Sequence, residues 1–142
     1  MAITTSKANR NMVMYSVFVR NYSEEGTFKQ LQNDLDRIKA LGVDIIWLLP
    51  IHPVGVVERK GAVGSPYAIK DYRAIDPALG TKEDLKELVQ EIHARGMRCI
   101  IDVVYNHTFN TSDSNFERTV PGYFYRQRPD GTYADGSACG NE

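Results

Sequence analysis

The feature that most constrains the fold is the alternation of three β-prone apolar runs with two segments of helical periodicity. The runs are MVMYSVFVR at 12–20, VDIIWLLP at 43–50 and MRCIIDVVYNHT at 97–108, and their β-branched and aromatic residues are typical of strands. Strands separated by helices are joined by right-handed crossovers and so form a parallel sheet. The sequence therefore predicts an α/β fold, either a doubly wound sheet or a (β/α)8 barrel.

Both segments between the runs carry apolar side chains at helical spacing. The stripes consist of Phe28, Leu31, Leu35, Ile38 and Leu41 in the first segment, and of Leu85, Leu88, Val89 and Ile92 in the second. Gly42 follows the first segment at the place of a C-cap glycine, and Thr81 with Asp84 forms a capping-box pattern before the second. Two helices are therefore predicted to cover one face of the sheet.

The composition fits a folded chain that binds neither nucleic acid nor membrane. Hydrophobic residues make up 42% and charged residues 25% of the 142 positions, which is enough apolar surface for a packed core. The net charge of −1 offers no electrostatic basis for binding nucleic acid or an anionic membrane. No apolar run approaches the roughly 20 residues of a membrane span, and no secretory leader pattern is visible. We therefore expect a cytoplasmic protein.

Polar residues stand in the third apolar run, where a buried strand should carry few of them. Asp102 lies within the run, and Asn106 and His107 stand near its end. An unpaired carboxylate in a buried strand costs on the order of several kcal/mol. Ligands bind at the carboxyl ends of parallel strands in both folds considered, so the candidate functional segments are 50–72 and the stretch from Asn106 onward. The first βα turn lacks the glycine patterns of nucleotide-binding loops, which argues against that class.

Four stretches, in this order, resemble the α-amylase superfamily of glycoside hydrolases. MYSVFVRNYS at 14–23, GVDIIWLLP at 42–50 and MRCIIDVVYNHT at 97–108 are similar to the first three barrel strands of that family, and GSPYAIKDYRAIDPALGT at 64–81 is similar to its loop with a sugar-stacking tyrosine. The resemblance implies a partial (β/α)8 TIM barrel with the first three parallel strands, two crossover helices and the start of the long excursion after the third strand.

The resemblance also implies how the chain is divided and what it does. It indicates an N-terminal extension at 1–11, the first part of the barrel at 12–108 and the beginning of the excursion at 109–142. The implied reaction is retaining hydrolysis or transfer at the α-glucosidic bonds of starch-like glucans. In this family the nucleophile and the acid/base follow later strands, so we expect the isolated chain to be inactive and to need the remainder of the barrel as its partner.

Four residues receive roles from the resemblance. Tyr67 would stack on a glucose ring, His107 would hydrogen-bond the glucose at the cleavage subsite, and Asp102 would contact an arginine near the nucleophile. Asn106 would be a ligand of a structural calcium ion. The residue types suit these roles, because a sugar ring has an apolar face and a rim of hydroxyls, and calcium prefers oxygen ligands.

The sequence leaves bond type and two other interpretations open. The tail from Val120 to Glu142 resembles pullulanase-type debranching members, with Ala138 where their loop has glycine, whereas GSPYAIKDY at 64–72 resembles small bacterial amylases. Both α-1,4 and α-1,6 bonds are therefore possible targets. The first other interpretation is a non-catalytic half-barrel that binds sugar or serves in assembly, and the second is an unrelated doubly wound domain.

Overall fold

The computed structural model describes residues 7–57, 59, 61–105, 107–109, 114–123 and 125–132. They fall into two compact units: unit 1 contains residues 1–49 and 78–102, and unit 2 contains residues 50–77 and 103–142. The boundary within the third apolar run lies between Asp102 and Val103. Unit 1 holds the sheet and its helices, and unit 2 holds the segments that follow the second and third strands.

Unit 1 contains a three-stranded parallel sheet in the order β1-β2-β3, as the alternation of patterns predicted. The strands are β1 (Met14–Val17), β2 (Ile45–Leu48) and β3 (Arg98–Ile101). Val17 stands beside Leu48, and Leu48 stands beside Ile101, in the last register position of the sheet. The α/β class and the parallel pairing are confirmed.

Each strand is shorter than the apolar run that predicted it. After β1 the chain enters a short helix α1 (Val19–Tyr22), and after Ile101 the strand pairing ends with the Asp102 amide, which donates to the Leu48 carbonyl (2.8 Å). The prediction that the third strand extends to Thr108 is wrong. The reason is that Val104, His107 and Phe109 use their backbone groups for bonds within unit 2.

Unit 1 buries six of the nine predicted stripe residues, whereas Leu85 and Val89 are half-buried and Leu41, beyond the last helical residue, is 59% exposed. The first predicted helix is also broken. It consists of α2 (Phe28–Asn33) and α3 (Leu35–Ala40), with Asp34 between them. The Asp34 carboxylate accepts from Arg37 Nε (2.8 Å) and from the Tyr22 hydroxyl, and its amide donates to the Leu31 carbonyl (3.1 Å), three residues back. The side-chain partners of Asp34 thus favour a local tightening that the periodicity did not predict.

The second helix and both predicted helix ends agree with the sequence. Helix α4 (Lys82–Ala94) begins with the capping box, in which the Thr81 hydroxyl accepts from the Asp84 amide (3.1 Å) and Asp84 accepts from the Thr81 amide (2.8 Å). Gly42, which follows α3, has φ +82°, a left-handed conformation that favours glycine. Phe28, Leu31, Leu35, Ile38, Leu88 and Ile92 are fully buried.

The sheet of unit 1 is not covered evenly. Ile46 and Leu48 in the central strand are fully buried, whereas Met14 is 50%, Ile100 42% and Ile101 44% exposed. Burying a large apolar side chain stabilises a fold by about 1.5–3 kcal/mol relative to leaving it exposed. These three side chains therefore contribute much less to stability than their types would allow.

Unit 2 is built mainly from loops. An isolated antiparallel bridge joins Val54 to Ile69, and one short helix, α5 (Asn115–Thr119), is capped by Ser114, whose hydroxyl accepts from the Phe116 amide (3.3 Å). Among the residues that the structure describes in either unit, no helix is long and apolar enough to cross a membrane. The functional candidates other than Asp102 all belong to this unit.

Candidate functional site

The loop after β2 folds back on itself and forms the base of unit 2. Beside the bridge between Val54 and Ile69, the Gly55 amide donates to the Ala68 carbonyl (3.2 Å) and the Lys70 amide donates to the Pro53 carbonyl (2.9 Å). Ala68 and Ile69 are fully buried. A segment that looked irregular in the sequence is therefore a fixed support for Tyr67, which immediately precedes Ala68.

The segment after β3 is attached to this support through Ile69. The Ile69 carbonyl accepts from the Thr108 hydroxyl (2.5 Å) and from the Phe109 amide (2.9 Å). The Phe109 ring is buried and packs so closely on Gly55 that a Cβ there would lie 1.8 Å from Phe109 Cδ1. These bonds bring the chain segments that carry Tyr67 and His107 together in unit 2.

Tyr72 fixes the segment that carries His107. Its hydroxyl lies 2.6 Å from the Val104 carbonyl oxygen and 2.9 Å from the His107 carbonyl oxygen, so its single proton is shared between two acceptors. The Tyr72 ring stacks on Phe116 (centroids 5.0 Å apart, 15° between planes) and lies 5.7 Å from the His52 ring. Burial raises the pKa of Tyr72 to about 12, although the Thr108 hydroxyl lowers it, so the phenol stays a donor at neutral pH.

His52 belongs to the same arrangement. Its imidazole is buried, and Nδ1 lies 2.9 Å from the Ala74 carbonyl oxygen. Because a carbonyl oxygen only accepts hydrogen bonds, Nδ1 must carry a proton. The residues around Tyr72 thus form a small polar and aromatic core, which consists of His52, Tyr72, Ser114, Phe116 and Tyr125, the last donating to Ser114 Oγ (2.5 Å).

The four predicted site residues differ in the unit to which they belong and in whether the structure describes them. Tyr67 and His107 are partly exposed and stand on neighbouring segments of unit 2. Asp102 is partly exposed and belongs to unit 1, where it directly follows β3 and does not lie inside the strand. Asn106 lies outside the described residues. The structure thus brings together the backbone segments of the two candidate sugar contacts.

Three of the acidic residues of α4 take part in a helix cap or in ion pairs. Asp84 closes the capping box, and its backbone and side-chain bonds to Thr81 lower its pKa. Glu87 pairs with Lys29 (3.0 Å) and Glu91 pairs with Arg95 (2.6 Å). Within the described ranges no group of three or more His, Cys, Asp or Glu side chains could hold a metal ion.

The sequence did not identify Tyr72 or His52 as supports of the candidate site. The signal for Tyr72 was weak, because it is one of two tyrosines in GSPYAIKDY and nothing in the sequence relates it to residues 104–107. Its bonds to Val104 and His107 span 32 and 35 positions. Only the fold shows them.

The sequence model of the α-amylase catalytic domain matches residues 6–135 of this chain. An oligo-1,6-glucosidase from Heyndrickxia coagulans is 32% identical over 136 residues, a match that covers 87% of this chain and 23% of that protein. Residues 6–135 include parts of both units and all of the described residues.

Solved structures of α-amylases are also similar to this chain. The crystal structure of an α-amylase from Lactobacillus plantarum is 49% identical with a TM-score of 0.85, covering 93% of this chain and 31% of that one. A noncanonic maltogenic α-amylase from Thermotoga neapolitana is 38% identical with a TM-score of 0.79, covering 87% of this chain and 29% of that one. The chain thus spans less than a third of the length of these three relatives.

Proposed function

Because this chain belongs to the α-amylase family of glycoside hydrolases, we propose that it is the N-terminal part of an enzyme acting on α-glucans. The enzyme hydrolyses or transfers α-glucosidic bonds with retention of configuration. The observation that supports a role of this chain in sugar binding is the attachment of the Tyr67 and His107 segments to one buried residue, Ile69.

Tyr67 and His107 supply complementary contacts to one substrate. The Tyr67 ring stacks on the apolar face of a glucose unit, since aromatic rings combine a flat apolar surface with a polar edge. The His107 imidazole hydrogen-bonds a sugar hydroxyl, for which it has both a donor and an acceptor nitrogen when neutral. Asp102, at the end of β3, pairs with an arginine from another part of the enzyme.

In this proposal, the residues that catalyse cleavage of the glycosidic bond lie outside the 142-residue chain. Retaining glycosidases require two carboxyl groups about 5–5.5 Å apart, one as nucleophile and one as acid/base. The acidic side chains Asp84, Glu87 and Glu91 instead serve the cap and ion pairs of unit 1. The isolated chain is therefore proposed to be inactive, with the remainder of the barrel as its partner.

Three finer points belong to the same proposal. Asn106 would supply one oxygen ligand to a structural calcium ion, a role for which its amide oxygen is chemically suited. The bond cleaved is α-1,4 or α-1,6. The enzyme acts in the cytoplasm. Hydrolysis of a purely α-1,4-linked oligosaccharide, compared with that of a purely α-1,6-linked one, decides the bond type. Repeating both assays with a calcium chelator tests the need for calcium.

The central test is the substitution of Tyr67 in the full-length enzyme. An aromatic platform contributes on the order of 1 kcal/mol beyond burial, so Tyr67→Ala should lower kcat/KM by roughly tenfold or more. Tyr67→Phe should be much milder, because it keeps the ring face and loses only the hydroxyl. Reducing ends released from starch give the rates.

The matched control is Tyr123→Ala, which removes a tyrosine of unit 2 that is 76% exposed. This variant should keep the parental kcat/KM. If the Phe and Ala variants at position 67 lose the same amount, the ring does not stack on sugar. If the Tyr123 variant loses as much as Tyr67→Ala, the effect is not specific to Tyr67.

A further inference from the structure

The most unusual contact of unit 2 is the one between the Tyr72 hydroxyl and two carbonyls of a single loop. The acceptors, Val104 and His107, flank residues 105–106 and lie 2.6 and 2.9 Å from the phenol oxygen. A phenol that donates to both ends of a four-residue segment restrains that segment as a unit, because moving either end breaks one of the two contacts.

The ring that carries this hydroxyl itself contacts two other rings. Phe116 stacks on it, and the buried His52 ring lies close by. His52 is in turn bonded to the Ala74 carbonyl (2.9 Å), and the α5 cap at Ser114 is bonded to Tyr125. The Tyr72 oxygen therefore has little freedom, and its position is determined by packing rather than by the loop that it contacts.

We propose that Tyr72 is the positioning residue for His107. It acts through its hydroxyl, which holds the backbone of residues 104–107 so that the imidazole meets the sugar in one orientation. The inference rests on the proposed function, since it assumes that His107 binds the substrate. Tyr72 itself needs no contact with sugar.

A second attachment of the same segment allows the positioning role of the Tyr72 hydroxyl to be tested apart from the folding of unit 2. Thr108 and Phe109 tie the next residues of the same segment to Ile69. Loss of the Tyr72 hydroxyl should therefore loosen the segment without unfolding unit 2. The substitution Tyr72→Phe keeps the ring that contacts Phe116 and His52 and removes only the hydroxyl, which makes it the appropriate variant.

The test is a double-mutant cycle in the full-length enzyme with soluble starch as substrate. Losing the net contribution of one hydrogen bond lowers a rate constant by roughly three- to tenfold. Tyr72→Phe should therefore lower kcat/KM by about that factor. In the His107→Ala background the same substitution should change kcat/KM by less than about twofold, because coupled residues are not additive. A purely structural role of Tyr72 would give the same loss in both backgrounds.

The matched control is Tyr123→Phe, which removes the phenol hydroxyl of another tyrosine of unit 2, one that is 76% exposed. Its effect should be the same with and without His107. An equal loss from Tyr72→Phe in both backgrounds, or no loss in either, overturns the inference and leaves the proposed function standing. An unchanged kcat/KM in His107→Ala overturns the proposed role of His107, and the inference with it.

Discussion

Replacing Gly55 by alanine should loosen the attachment of the His107 segment. The new Cβ would lie 1.8 Å from Phe109 Cδ1, whereas ordinary contacts begin at 3.4 Å, so the ring must move by roughly 1.6 Å, the difference between those distances. Phe109 is fully buried, and no flexible side chain can yield in its place. The substitution tests whether this packing holds Phe109 to Ile69.

The loss of stability that Gly55→Ala causes in unit 2 can be bounded from two known effects. Overpacking a core costs about 1–3 kcal/mol, and complete loss of a buried phenylalanine costs about 3–5 kcal/mol. A ring that moves but stays in contact lies between these, at about 3 kcal/mol. Since about 1.4 kcal/mol is a factor of ten in an equilibrium constant, local opening of this part of unit 2 should become on the order of a hundred times more frequent.

Amide hydrogen exchange measures this opening directly. In the full-length protein, exchange should accelerate by that factor at the amides of Lys70 and Phe109, which donate to Pro53 and Ile69. The interior amides of α4 in unit 1 should exchange at their original rate. The second variant combines Gly55→Ala with Phe109→Leu, which replaces the clashing ring by a smaller side chain. It should recover part of the protection of these amides against exchange.

Two outcomes would refute the reasoning. Unchanged exchange at Phe109 in Gly55→Ala would mean that the ring and the loop accommodate the methyl group without loss. A loss of protection in the double variant equal to the sum of the losses from Gly55→Ala and from Phe109→Leu alone would mean that the two residues are not coupled.

The remaining predictions concern the isolated chain and alkaline pH. The isolated 142-residue chain should release no reducing ends from starch or pullulan, and it should self-associate and bind ANS, because Met14, Ile100 and Ile101 expose apolar surface on the sheet. Ile100→Ser should reduce the ANS signal; a monodisperse monomer with a sharp melt would contradict the expectation. Burial raises the pKa of both Tyr22 and Tyr72 from 10.0 to about 12. Their contribution to stability is therefore complete below pH 10 and lost as pH rises from 10 through 12, because ionisation is easier in the unfolded chain. Urea midpoints of the full-length protein at about pH 9 and pH 12 should differ less in the double variant Tyr22→Phe with Tyr72→Phe than in the parent.

The sequence by itself determined the elements that depend on short-range spacing. The order of strands and helices, the parallel sheet, the capping box at Thr81 and the glycine after α3 all follow from residues a few positions apart, because helices and strands have fixed periods and their ends have local hydrogen-bonding needs. The resemblance at 64–81 and 97–108 pointed to Tyr67 and His107 for the same reason, since each motif is contiguous.

Only the tertiary structure decided where the first helix breaks, where the third strand ends and what supports the site. The first helix breaks at Asp34, whose carboxylate accepts a hydrogen bond from Tyr22, 12 positions earlier. The third strand stops at Ile101 because the residues after Asp102 bond to Tyr72 and Ile69, more than 30 positions earlier, and not to β2. The contact of Phe109 with Gly55 crosses a similar span of sequence. Such contacts depend on the path of the whole chain, which no local pattern specifies, and they hold the segment that carries His107.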